Sequence, residues 1–228
     1  MTTIAANLQA VHARIAAACA AAGRDPAGVS LLAVSKTWPA QAVRAAADCG
    51  QRAFGESYVQ EATAKIAALA DLDLDWHFIG PLQSNKTRPV AEHFSWVHSI
   101  ERVKIAERLA AQRPAGLAPL QVCLQVNVSG EASKSGCAPE QAPGLAREIA
   151  ALPNLVLRGL MAIPEPSDDA ALQRRRCAAL RGLRERIAGE CGCALDTLSM
   201  GMSHDLEAAI AEGATVVRVG TAIFGSRF

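Results

Sequence analysis

The stretch Leu31-Leu32-Ala33-Val34-Ser35-Lys36 closes an apolar run on a lysine, and Pro39 follows three residues later. An amine at the end of a buried strand must reach solvent or a partner, because a buried charge without one is costly. Two further stretches could do chemistry with it. "SMGMSHDLE" (199–207) offers a glycine, the hydroxyls of Ser199 and Ser203, and the start of a helix, with Ser203 as the expected N-cap, Leu206 at the third helical position, and Asp205 and Glu207 in the first turn. "VGTAIFGSR" (219–227) offers Gly220, Thr221 and the amides of a short terminal turn. Amides that open a helix carry partial positive charge and point at anions, so the two stretches together suit a phosphate; taken singly, Gly201 and Gly220 would simply make tight turns. A lysine beside such a cradle would either neutralise the phosphate or form a Schiff base with a carbonyl on the molecule that carries it. Arg218 belongs to the same group. Alternation along "TVVRVG" puts Val216, Arg218 and Gly220 on one face, so Arg218 points inward, where its guanidinium needs an acceptor: either an acid inside the fold or a ring nitrogen of a bound cofactor.

These residues meet only if the fold brings them together. Short apolar runs recur at 30–35, 52–56, 76–80, 95–99, 119–128, 155–162, 196–200 and 215–220, separated by helical stretches and preceded by an amphipathic N-terminal helix. Strands alternating with helices imply a parallel sheet, and eight such units are the number that closes a (β/α)8 TIM barrel. The alternative, an open doubly wound sheet, usually carries a glycine-rich turn after its first strand; here that strand runs into "KTWPA". The expected fold is therefore α/β: one (β/α)8 barrel domain over 1–228 with an extra N-terminal helix. Barrel active sites gather at the C-terminal ends of the strands, which selects Lys36, Glu56, Ser57, 80–85, 127–129, Met161, 199–203, Gly220 and Thr221. Closure makes the first strand a neighbour of the eighth and sets Lys36 beside Gly220 and Thr221.

Composition excludes several classes of function. The 228 residues carry a formal charge of +1, which gives no footprint for nucleic acid or an anionic membrane, and no apolar run is long enough for a transmembrane helix. Seven cysteines without a C-x-x-C pair and five histidines without ligand spacing read as packed thiols of a cytoplasmic protein with no metal.

The blocks "LLAVSKT", "FGESYVQEA", "WHFIGPLQSNKTR", "VNVSGEASKSG", "LRGLMAIP" and "LSMGMSHDLEAAIAEGATVVRVGTAIFG", in order from residue 30 to the end, resemble the pyridoxal phosphate homeostasis protein family. The resemblance implies a barrel similar to the N-terminal domain of alanine racemase (fold type III). It implies pyridoxal 5′-phosphate as a Schiff base on Lys36, the phosphate on Ser199, Gly220 and Thr221 with nearby amides, and the pyridine nitrogen facing Arg218, with Ser203 also among the cofactor-binding residues. It further implies a role in vitamin B6 homeostasis and amino-acid balance without established turnover, with apo-enzymes that accept the cofactor as partners. The chain departs from the family pattern at Ser57, where asparagine is common, and at His204, where aspartate is common; His204 is expected to face outward. Lys134 and, more weakly, Lys86 are loop lysines that could receive the cofactor aldehyde in transfer.

Two enzyme readings compete with a carrier. A racemase needs an acid or base on each face of its substrate; Lys36 supplies one, and the racemases supply the other as a tyrosine from an additional C-terminal domain. The chain's tyrosine is Tyr58, and no additional domain follows Phe228, so a carrier, expected as a monomer, is favoured. A Schiff-base aldolase would use Lys36 without coenzyme.

Overall fold

A computed structural model of the chain describes residues 3–131 and 135–226. The strands β1 (Ser30–Val34), β2 (Ala53–Glu56), β3 (Asp75–Phe78), β4 (Trp96–Ile100), β5 (Leu120–Gln125), β6 (Leu155–Met161), β7 (Thr197–Ser199) and β8 (Val216–Val219) form a closed barrel in sequence order. Adjacent strands are parallel, and closure pairs Leu32 with Arg218 and Ala33 with Val219. The helices around it are α1 (Ile4–Ala21), α2 (Ala40–Asp48), α3 (Val59–Ala68), α4 (Thr87–His93), α5 (Val103–Gln112), α6 (Ala142–Ala150), α7 (Ala170–Cys191), α8 (Leu206–Ala211) and α9 (Thr221–Phe224). The expected strands and the N-terminal helix are all present. The short α4, with Arg88-Pro89 in its first turn, buries Thr87, Val90 and Ala91.

Alternation divides the apolar residues in two. Leu31, Ala33, Phe54, Phe78, Val97, Val217 and Val219 face the helices and merge into the main core, while Leu32, Val34 and Ile79 form a separate cluster inside the barrel, flanked by Ala53 and Val216. Gly55 leaves room there, since a Cβ at that position would stand 3.1 Å from Ile79 Cδ1 and 3.2 Å from Leu32 Cδ2. Polar side chains share the interior. Asp75, His77, His98, Ser199 and Arg218 are joined by hydrogen bonds, in a place where barrels usually stack branched apolar side chains. Burial pushes the thiols of Cys123 and Cys177 up to about 12 and that of Cys137 to about 11, which makes them packing groups at neutral pH.

Candidate functional site

At the C-terminal end of the barrel a cavity of about 510 Å³ is lined by Val34, Lys36, Ile79, Met202, Ser203, Arg218, Gly220 and Thr221, with Ile163, His204 and Ala222 completing it. The structure thus joins five of the expected site residues, Lys36, Ser203, Arg218, Gly220 and Thr221, although the first is nearly the whole chain away from the last. Gly220 stands close against β1, since a Cβ there would be 3.0 Å from Val34 O. Its backbone lets β8 turn straight into α9, whose first N–H groups, on Thr221 and Ala222, have no acceptor within the helix.

Ser199 lies deeper. It is fully buried and does not line the cavity; its Oγ accepts from Arg218 Nη1 at 2.8 Å and stands 2.7 Å from His98 Nδ1. The expected capping by Ser203 is corrected. α8 starts at Leu206 with Asp205 at the N-cap, because Asp205 Oδ1 instead accepts from the amide of Met202 at 2.6 Å and folds 202–205 into a turn. Ser203 is left in that turn, on the cavity. His204 is exposed, as expected, but at the cavity rim. Tyr58, Ser57, Asn127 and Lys86 do not line the cavity; Asn127 organises its own loop through Glu131 O and the amide of Gly130. Lys134 falls outside the described residues.

Arg218 is buried, with Nη1 on Ser199 and Nη2 on Ala162 O at 2.7 Å. Of the two sequence-level options, an acid in direct contact is not what holds it; both acceptors are neutral. Burial lowers its pKa to about 10, so it remains a cation at neutral pH. An arginine in this state donates and never accepts, which suits an unprotonated ring nitrogen or another neutral acceptor in the cavity.

Sequence reasoning missed the group that sets the Lys36 turn. Lys65 on α3 is buried, and its Nζ donates to Ser35 O at 2.7 Å, Glu56 Oε1 at 2.7 Å and Glu61 Oε1 at 2.6 Å. Glu61 also accepts from the amide of Thr37, the residue after Lys36, which sits at φ 70°. A threonine in the left-handed region is uncommon, and here the Lys65–Glu61 pair holds it. The signal available in the sequence was Glu61–Lys65 at i,i+4 on a helix that follows Glu56.

α1 braces the opposite side. Asn7 Nδ2 donates to Ile223 O at 2.8 Å, and Arg14 donates to Ser203 O at 2.8 Å while pairing with both oxygens of Glu207. Arg14→Ala is expected to cost about 1 kcal/mol or less, because the pair is partly exposed. It should nevertheless speed amide hydrogen exchange selectively in 202–206, a region-specific change that unaltered exchange there would contradict.

Donors for an anion and a nucleophilic amine therefore share one cavity with a buried cation at its base. Among the described residues no group of three or more histidine, cysteine or acidic side chains could hold a metal, and no helix is long and apolar enough to cross a membrane.

Comparison with known proteins agrees with this fold. The family model described as alanine racemase, N-terminal domain, matches residues 6–228. A pyridoxal phosphate homeostasis protein of Pseudomonas aeruginosa is 67% identical over 227 residues, covering 100% of this chain and 97% of that one. Its namesake in Escherichia coli K12 is 53% identical, covering 100% and 98%. Among solved structures, PipY of Synechococcus elongatus with PLP bound superposes with a TM-score of 0.82 at 41% identity, over 92% of this chain and 100% of that one. Alanine racemase from Corynebacterium glutamicum shares the fold, with a TM-score of 0.71 at 18% identity over 96% of this chain and 62% of its own.

Proposed function

The chain belongs to the alanine racemase N-terminal domain family and to its pyridoxal phosphate homeostasis branch, and from that membership we propose that it binds pyridoxal 5′-phosphate in the cavity above β1 and β8, tethered covalently to Lys36. The observation that carries the reading is the meeting of Lys36, Arg218, Ser203, Gly220 and Thr221 in one cavity. When bound, the cofactor supplies an aldehyde that condenses reversibly with amines and a ring that can accept electrons. The residues present fit such a group. Ser203, Thr221 and the first amides of α9 suit the phosphate, and Gly220 keeps the approach to it clear of a side chain. Arg218 donates to the ring nitrogen and keeps a proton off it, which leaves the ring a weak electron sink. That favours holding and handing on the cofactor over turnover.

The physiological role that follows is control of pyridoxal phosphate supply within the cytoplasm, with cofactor-accepting apo-enzymes as partners and a monomer as the working unit. A racemase would need a second acid or base across the cavity from Lys36. Tyr58 is not on the cavity, so the role would fall to His204 at the rim.

Incubation with pyridoxal phosphate, borohydride reduction and peptide mapping tests the tether: the added mass is expected on the peptide containing Lys36. Label absent, or found only elsewhere, overturns it. Amino acids incubated with the loaded protein in deuterated water should gain no α-deuterium; rapid exchange with formation of the D-isomer would instead establish the racemase.

A further inference from the structure

Five polar side chains of the barrel stand in a file. Asp75 Oδ2 is 2.9 Å from His77 Nε2, His77 Nδ1 is 2.9 Å from His98 Nε2, and His98 Nδ1 is 2.7 Å from Ser199 Oγ, which in turn accepts from Arg218. The file crosses four strands, from the partly exposed Asp75 at the start of β3 to the cavity. Nothing in the proposed binding of a cofactor uses Asp75, His77 or His98.

Its two ends have fixed roles. A carboxylate only accepts and a guanidinium only donates. Burial, with the Arg218 cation adding to it, holds His98 well below its ordinary pKa, so it is neutral and has one donor and one acceptor nitrogen. If His77 Nε2–H donates to Asp75, His77 Nδ1 accepts from His98 Nε2–H, and His98 Nδ1 accepts from the Ser199 hydroxyl. Every hydrogen then points from Arg218 toward Asp75 and every acceptor is used. The reverse order needs a doubly protonated His77, and it leaves Ser199 Oγ taking two donors while its own hydrogen has no place in the file. His77 is also stacked on Trp96, with ring centroids 5.3 Å apart and planes 4° apart, and Arg158 already sets a cation over that indole.

We propose that Asp75, His77, His98 and Ser199 form a one-way hydrogen-bond relay that fixes the orientation of Arg218 at the base of the cavity, which makes Asp75, at the other end of the barrel, a positioning residue for the ligand of that arginine. Two of the five guanidinium N–H donors are held, one by Ser199 and one by Ala162 O, so the relay decides how the guanidinium is aimed. The identity of the ligand rests on the pyridoxal phosphate reading; the relay does not.

The experiment begins with the cofactor-free protein. Long-range nitrogen–proton correlation spectra are expected to show His77 and His98 both as the Nε2–H tautomer. A proton on Nδ1 of His98 overturns the direction. Asp75→Leu should mix the tautomers of both rings, whereas Asp75→Asn, which keeps an acceptor oxygen, should preserve them. With pyridoxal phosphate added, Ser199→Ala and Asp75→Leu should weaken binding by about three- to tenfold, the worth of one hydrogen bond, and shift the visible absorption, with Asp75→Asn close to the parent. Should Asp75→Leu fail to fold, Ser199→Ala decides: unchanged absorption and affinity overturn the relay. If the parent protein develops no visible band with pyridoxal phosphate, the cofactor reading fails, and the tautomers still judge the relay.

Discussion

The Lys36→Ala variant is expected to lose all covalent capture of pyridoxal phosphate while keeping the barrel. Lys36 stands two residues beyond the end of β1, and the pairing of that strand with β2 and β8 runs through the backbone as far as Ala33 and Val34. Its half-buried side chain belongs to neither apolar cluster, so truncation should cost no more than about 1 kcal/mol. The anion donors are untouched, so weak non-covalent binding should persist. Absorption titration and thermal melting make the check: the visible band disappears, and the midpoint stays near that of the parent. A borohydride-stable label on the variant, in parent yield, would place the tether on another amine.

Lys65→Met is expected to be the most destabilising single change near the site, by about 3–5 kcal/mol, because it removes one member of a buried ion pair and leaves the other. Glu56 is fully buried, and its second oxygen has no hydrogen-bond partner. Methionine nearly conserves the volume, so the loss is electrostatic and not a cavity. Burial raises the Glu56 pKa even though Lys65 and Ser35 bond to it. The folded carboxyl therefore holds its proton more tightly than the unfolded one, and stability falls as pH rises through the folded value. Without Lys65 that penalty grows, so the deficit of the variant should shrink on moving from neutral to acidic pH. Urea unfolding across that range measures it. Adding Glu56→Gln to Lys65→Met should recover part of the loss, a coupling that a double-mutant cycle reads directly. A deficit below about 1 kcal/mol, flat with pH, would show that the Lys65 cluster does not carry the turn.

Much of the barrel and part of the site were readable before the structure. Strands buried on both faces write themselves as apolar runs, and closure alone put Lys36 next to Gly220. Alternation also set Arg218 inward. What escaped were partners that only the closed topology supplies. His77 and His98 share the inward parity of Ser199 and Arg218, yet they lie on four different strands and have no sequence spacing to betray them. The inward position alone does not say whether a polar side chain finds a neighbour there or an orphan's cost. Ser199 ends a strand, and the arginine that donates to it stands 19 residues later. Only the packing of α3 turns Lys65 onto Glu56 and Ser35. Ser203 lost the capping role to a local competitor, since Asp205 ties the same turn with a charged acceptor.

The brace from α1 bears on the order of events at the ribosome. The bonds from Asn7 and Arg14 span 216 and 189 residues, and β1 finds one of its two neighbours only in β8. A chain emerging N-terminus first carries its reactive lysine through nearly the whole of synthesis before the anion-binding turns exist. On the proposed reading, cofactor capture would be a late event, coincident with closure. The nascent chain lacks the cradle that the closed barrel completes from its first and last strands.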